Sequence, residues 1–283
     1  TQRRGMGKFY ELLGRKARGL LFTLRTMGPY YVFREVVRRL LGVPYTYRGI
    51  TIDNVKTFKL ISSLLYLGID FGRDGDDYFV KTKYGVIYGK VPDILLTFTF
   101  EFENDYLVLD VKNKVVIDVG AYLGDTALAF LNWGARVVYA YEPISRFYEG
   151  LVKTIRANGV EDRVKVFNYG WWFYNGTLRL RLGYIGTGAL PGDVEVRVVD
   201  STEELLRIGR DIGNDFVVKM DCEGCEYSLL TVPCKALRLA RQYVIEVHGA
   251  LTPLIYKFIN CGFKYEVVRQ TGKRLFIVNF TRD

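Results

Sequence analysis

Between Phe33 and Leu41 the apolar residues Phe33, Val36, Val37, Leu40 and Leu41 fall at i, i+3, i+4, i+7 and i+8. That spacing predicts a helix with one apolar stripe and with Arg34, Glu35, Arg38 and Arg39 on the opposite side. An earlier helix is predicted from Lys8 to Arg25, less regular because Gly14 and Gly19 interrupt it. A third starts after an Asp53 N-cap and runs to about Leu67, where Gly68 ends it. Tyr78–Lys90 and Ile94–Phe102 then alternate in the manner of short strands rich in Phe, Tyr, Val and Thr.

From Lys114 the pattern changes to strand and helix in turn. Apolar strands are predicted at Val115–Val119, Arg136–Tyr141, Val164–Asn168, Val194–Asp200, Phe216–Met220 and Tyr243–Val247. Helices are predicted over Asp125–Asn132, from Ile144 to an Asn158-Gly159 cap, and near Glu203–Ile208. Asn175-Gly176 reads as a type I′ hairpin turn, and Phe263–Val268 with Leu275–Phe280 as a closing antiparallel pair. Repeated βαβ units imply an α/β fold: a Rossmann-like, doubly wound, mostly parallel seven-stranded sheet with an antiparallel closing strand. The expected organisation is a basic helical extension over 1–68, short leading strands over 69–113 and the α/β domain over 114–283.

Ligands of such sheets lie at the carboxyl ends of the strands, where the strand order reverses. The first strand exits into Asp118-Val-Gly120-Ala121-Tyr122-Leu-Gly124-Asp125, and the glycines permit a sharp turn with backbone N–H groups close to a ligand. A dinucleotide loop would carry G-x-G-x-x-G, and here an aspartate takes the place of the first glycine. A carboxylate repels a pyrophosphate and suits a ligand with an ammonium and a sulfonium, which is S-adenosylmethionine. The second strand ends in Tyr141-Glu142-Pro143, and an acid at that position can accept hydrogen bonds from both ribose hydroxyls.

The stretches VVIDVGAYLGDTALAF (115–130), VVYAYEP (137–143), VVKMDCEGCEYSLL (217–230) and VIEVHG (244–249) resemble the FkbM-type methyltransferases, K-x-D-x-E-G-x-E after an apolar strand being the most specific of them. The lead-in FEFENDYLVLDVKNK (100–114) is similar too, so the resemblance spans about residues 100–280 and leaves the N-terminal arm out. It implies a class I S-adenosylmethionine-dependent methyltransferase, usually acting on a hydroxyl of a sugar, polyketide or other small metabolite. By the same resemblance Asp118, Gly120 and Gly124 lie against the methionine part of the cofactor and Glu142 against the ribose. Asn168-Tyr169-Gly170 would flank adenine, and Trp171 and Trp172 either stack on it or pack in the core.

A hydroxyl acceptor must lose a proton, which calls for a base near the methyl group. Asp221 is the candidate by motif, as base or as the group that orients the acceptor. His248, the single histidine of the chain, is either that base or a structural hydrogen-bonding residue. Glu223 and Glu226 either join this site or cap the helix that follows. Asp221, Glu223, Glu246 and His248 can also assemble a divalent metal site, but no i, i+4 ligand pair demands one and no metal is expected. Lys219, in mid-strand, is expected to make a structural pair. The glycine-rich run 183–192 is either a mobile lid or a solvated connection.

Charge adds one feature. Residues 1–50 hold 11 Lys/Arg against Glu11 and Glu35, and the rest of the 283-residue chain is balanced, so the whole net charge of +9 sits in the arm. The expected arrangement is arm helices packed on the domain with a solvated arginine face; peripheral membrane contact and nucleic-acid binding are the other readings. RNA methylation would use the arm to grip phosphates, but the N/D-P-P-Y type of motif is missing. A non-catalytic protein that binds the cofactor is a further alternative, which the intact cofactor motifs oppose. The acceptor is therefore expected to be a small molecule or glycan. No apolar run approaches the ~18–20 residues of a membrane span, and the four cysteines are too few and clustered for a secreted scaffold. Cys222 and Cys225 read as small core residues, and the protein as cytoplasmic.

Overall fold

The computed structural model describes residues 21, 23–90, 105–180, 194–271 and 274–282. Two compact units divide at Thr82–Lys83, inside the stretch of short strands expected over 69–113. The predicted strand at Ile94–Phe102, the glycine-rich run 183–192 and most of the predicted first helix lie outside the described residues.

In the first unit a helix spans Pro29–Leu41, entered through proline at its first turn and closed by Gly42 in the left-handed region. The strands β1 (Tyr45–Tyr47) and β2 (Ile50–Ile52) form an antiparallel hairpin. Its two turn residues, Arg48 and Gly49, both have positive φ, as a type I′ turn requires. A helix over Val55–Tyr66 follows, capped by the Asn54 side-chain Oδ1 accepting from the Thr57 N–H at 2.9 Å. The cap is thus Asn54 in place of the expected Asp53. Strands β3 (Phe71–Asp74) and β4 (Asp77–Thr82) pair antiparallel. Ile52, Ile61, Leu64, Phe71 and Val80 are the buried centre of this unit.

The stripe on the Pro29–Leu41 helix does not pack inward as expected. Phe33, Leu40 and Leu41 are 62%, 76% and 72% exposed, whereas Glu35 and Arg38 are only 3% and 7% exposed. Hydrogen bonding explains the reversal. Glu35 takes both Arg38 Nε and Nη2 at 2.9 and 2.8 Å, Arg39 Nε at 2.6 Å and the Tyr45 hydroxyl at 3.2 Å. The arginine pairs lie within the helix, while Tyr45, with Arg38 on the Asp53 carbonyl at 3.5 Å and Arg34 on the Pro44 carbonyl at 2.9 Å, ties this polar face to β1 and its flanks and leaves the apolar face outward.

The second unit begins with β5 (Gly85–Gly89), whose Val86 and Tyr88 N–H groups donate to Asn158 and Thr154 of a later helix at 2.9 Å. The main sheet then takes β6 (Val115–Val119), β7 (Val137–Tyr141), β8 (Val164–Phe167), β12 (Phe216–Met220), β13 (Ala240–His248), β14 (Lys264–Thr271) and β15 (Leu275–Thr281). Its order is β14-β15-β13-β12-β6-β7-β8, with every neighbour parallel except at β15, which runs antiparallel to both flanking strands. This is the expected seven-stranded, doubly wound sheet. Helices Asp125–Asn132, Ser145–Ala157, Ser201–Ile212 and Thr252–Asn260 lie between the strands.

A second sheet of β9 (Gly170–Trp172), β10 (Gly176–Leu180) and β11 (Val194–Asp200) has β11 in the middle. Asn175-Gly176 therefore does not close a hairpin, because the strands on its two sides each pair with β11 and not with one another. The Asn175 side chain is used elsewhere: its oxygen accepts from the Asp200 N–H and its amide donates to Glu203, both at 2.8 Å.

The cysteines are paired, Cys222 with Cys225 and Cys234 with Cys261. Reading Cys222 and Cys225 as simple core residues is corrected. With all four in disulfides, the cysteine argument for a reducing compartment falls away. Among the described residues no helix is long and apolar enough to cross a membrane.

Candidate active site

The strand order reverses between β6 and β12, and the loops after these two strands meet there. The Asp221 N–H donates to the Val119 carbonyl at 3.0 Å, which ties the second loop to the first strand. Gly120 has φ of 81°, and a Cβ on it would lie 1.8 Å from the Asp221 carbonyl oxygen. No other residue fits. At Gly124, with φ of 90°, a Cβ would come within 2.8 Å of Leu151.

Asp118 stands opposite Lys219 in the β6–β12 register, and both are buried. The ammonium reaches Asp118 Oδ1 at 3.0 Å and donates to the Gly120 carbonyl at 2.8 Å, while Thr126 donates to Asp118 Oδ2 at 2.6 Å. Lys219 makes the structural pair expected of it. Burial works against its charge, but Asp118 and Asp221 outweigh that and hold its pKa above the usual lysine value. The Asp118 charge is thus balanced from within. The N–H groups of Gly120 and Ala121 also turn inward, both donating to the Tyr141 carbonyl at 3.0 Å. The missing side chain of Gly120 also lets two strand ends approach.

Glu142 behaves differently. It is buried, and its oxygens accept from the Tyr122 N–H at 3.1 Å and the Ile144 N–H at 2.8 Å. Burial pushes its pKa up to about 8, against those two donors, so the carboxyl calls for further donors. Tyr122 has φ of 50°, a strained value for a side-chain-bearing residue, and its ring packs edge-on to Phe147 at 4.5 Å. Half-buried Asp125 is likewise pushed up to about 6, chiefly by burial. Asn168 pins the end of β7, its amide donating to the Glu142 carbonyl at 3.0 Å and the Pro143 carbonyl at 3.3 Å. The Tyr169 hydroxyl donates to Glu204 at 3.2 Å, and a Cβ on Gly170 would touch Pro143. Trp171 is a core residue, edge-on to Tyr141 at 5.6 Å, while Trp172 is partly buried.

A second cluster gathers at the ends of β12 and β13. The Tyr106 hydroxyl lies 3.2 Å from Asp221 Oδ2 and 3.3 Å from Glu246 Oε2, and its ring sits 5.5 Å from the Lys219 ammonium. His248 Nε2 stands 3.5 Å from both Glu223 and Glu246, and Nδ1 stands 3.6 Å from Glu226. These are ion-pair separations, longer than good hydrogen bonds. Burial opposes a charge on the ring, but Glu226, Glu246, Glu223 and Asp221 raise its pKa to about 11. At neutral pH His248 is therefore a cation that keeps its proton. That argues against the histidine as base.

Burial raises the Asp221 carboxyl above the usual range, with Lys219 opposing and Glu246 adding to the shift. Glu246, though also penalised by burial, is held low by His248. Of this pair Asp221 is the better proton acceptor. Burial raises Glu223 too, and its φ of 56° is strained. Glu226, fully buried, accepts from the Gly224 N–H at 2.7 Å and the His248 N–H at 2.8 Å, so it locks the two loops together. Asp221, Glu246 and His248 bring one ligand atom each to within 4.8 Å of the others, the spacing of a metal-binding group.

A family model described as the Methyltransferase FkbM domain matches residues 118–265, just over half of the chain. The chain belongs to the FkbM methyltransferase family. The methyl donor of this family is S-adenosylmethionine. A comparison with curated protein sequences finds no match. Among solved structures, TrmK of M. capricolum with S-adenosyl-homocysteine is 8% identical to this FkbM chain, covering 66% of it and 70% of TrmK at a TM-score of 0.44. TYW2 of M. jannaschii with AdoMet is 14% identical over 75% of this chain and 89% of its own, TM-score 0.44. Magnesium protoporphyrin IX methyltransferase of Synechocystis PCC 6803 with SAM is 13% identical over 68% and 83%, TM-score 0.40.

The FkbM site fits a cationic cofactor with hydroxyl groups. Among the described residues, Asp118, Asp125, Glu142, Asp221, Glu223, Glu226 and Glu246 gather around two cations, Lys219 and His248. A ligand bearing a sulfonium and an ammonium offsets that excess, and ribose hydroxyls are the donors that Glu142 calls for. Tyr106 was not among the expected site residues, and Glu246 was weighed only as a metal ligand. Glu246 is two residues before His248 on β13, and that period places both side chains on one face. Nothing in the local pattern around Tyr106 signals its reach to β12 and β13.

Proposed function

We propose that this FkbM methyltransferase acts on a hydroxyl of a glycan or other small metabolite. Bound S-adenosylmethionine supplies a methyl group activated by a sulfonium, which leaves as a neutral thioether. Glu142 holds the ribose, and Asp118 acts through Lys219 to set the Gly120 turn. The observation that carries the reading is the Asp221 group: a half-buried carboxyl with raised pKa, oriented by Tyr106, beside a histidine that is already charged. A base matched more closely to neutrality is what a hydroxyl acceptor needs as its oxygen takes the methyl carbon. The acceptor proton passes to Asp221, while His248 holds the Glu246 carboxyl low and pairs with Glu223. Metal binding at Asp221, Glu246 and His248 would compete with that role.

Transfer of labelled methyl to fractionated glycans, hydroxy-metabolites and RNA tests the reading. Label should appear on a hydroxyl compound, and Asp221→Asn should lower kcat by roughly 100-fold or more, the usual contribution of a positioned base. Label confined to RNA, or normal turnover in Asp221→Asn, would overturn it.

A further inference from the structure

The Pro29–Leu41 helix is folded inside out. A surface helix of a water-soluble unit buries its apolar stripe and solvates its charges. Here Glu35 and Arg38 are enclosed, and Phe33, Val36, Leu40 and Leu41 face outward. Tyr30 at the start of the helix and Val43 just past its end extend the exposed strip, as do Leu21 and Leu24 before it. Bonds that leave the helix hold this orientation, since rolling it would break those from the Tyr45 hydroxyl to Glu35 at 3.2 Å, from Arg38 to the Asp53 carbonyl at 3.5 Å and from Arg34 to the Pro44 carbonyl at 2.9 Å.

From this reversal together with the charge of the segment, we infer that the N-terminal unit docks on an anionic lipid surface. The apolar strip alone would suit several partners. What selects the lipid is the charge beside it: residues 1–50 carry the entire net +9, and Arg25, Arg39 and Arg48 are exposed in the described part. An aromatic and leucine-rich face with basic flanks on a helix without a long apolar core is the build of an interfacial helix lying in the headgroup plane. Phe33 and Leu40 enter the acyl boundary, and the arginines meet lipid phosphates. This assignment is independent of the methyl acceptor.

Flotation of the full chain with vesicles of phosphatidylcholine, with and without about 30% phosphatidylglycerol, is the test. Binding is expected on the anionic vesicles, weakened in about 0.5 M salt, where screening shortens to a few ångströms. Phe33→Glu/Leu40→Glu should lower the bound fraction at least tenfold while leaving cofactor affinity unchanged, which shows that the chain is folded. In a milder variant, Phe33→Trp, indole fluorescence should be quenched by lipids brominated on the acyl chain. Overturning results are no binding to anionic vesicles, binding indifferent to the double substitution, or a dimer by light scattering that the double substitution dissolves. The last would assign the strip to a second copy of the chain.

Discussion

The two units treat charge in opposite ways. Residues 1–50 carry all of the net positive charge, yet their central helix hides Glu35 and Arg38 and shows Phe33 and Leu40 to the outside. The unit from Lys83 onward is close to neutral, with a net charge of +1, but concentrates acids where β6, β7, β12 and β13 end, and there it buries Asp118, Glu142, Glu226 and Lys219. Buried charge in the second unit is organised around a pocket of chemistry. In the first it turns a greasy face outward. Periodicity reveals that a helix has two faces, but only the partners of its polar face decide which one is hidden.

The sharpest break of this comparison is at the Asp118–Lys219 pair. Lys219→Met leaves Asp118 buried without its cation and should destabilise the protein by roughly 3–5 kcal/mol, read from chemical denaturation. Adding Asp118→Asn should recover a large part, because the pair is coupled at 3.0 Å. Full stability in the single variant would mean that Asp118 is not isolated from water.

A smaller effect follows from His248. Its pKa is raised from 6.5 to about 11, so its contribution is complete below pH 6.5 and is lost as pH rises towards 11. Glu142, raised from 4.5 to about 8, adds a loss between those values in the cofactor-free protein. The Glu142 share of the fall in melting temperature should therefore begin near pH 4.5 and end near pH 8, the His248 share should begin near pH 6.5, and His248→Gln should flatten the fall above pH 8. An unchanged slope in that variant would show that the histidine is not held as a cation.

The smallest effect is expected in the first unit. Phe33→Ser should change stability by no more than about 0.5 kcal/mol, since its side chain has little burial to lose. A loss of several kcal/mol would mean that the strip is covered within the chain.

Much of the second unit was legible in the sequence. Short, largely apolar runs such as Phe216–Met220, broken only by Lys219, read as central parallel strands, and glycines at 120 and 124 mark turns that the packing confirms by direct contact. The Asn175-Gly176 turn misled because its asparagine is held by Asp200 and Glu203, a distant partner that no local pattern encodes. The site was legible as strand-end acids, but their division of labour was not. Asp118 and Glu142 look alike in sequence, and only the Lys219 ammonium across the strand distinguishes a neutralised acid from one still seeking donors. Tyr106 was invisible because its contacts with Asp221 and Glu246 span more than a hundred residues.

That division of labour is open to one direct measurement, calorimetric titration of S-adenosylmethionine into the wild-type chain, Glu142→Ala and Asp221→Asn. Loss of charged hydrogen bonds in Glu142→Ala should weaken binding by ~1–3 kcal/mol, whereas Asp221→Asn should bind within about threefold of wild type. Equal binding by Glu142→Ala, or loss of binding in Asp221→Asn with Glu142→Ala intact, would contradict the assignment of Glu142 to the cofactor and Asp221 to the acceptor.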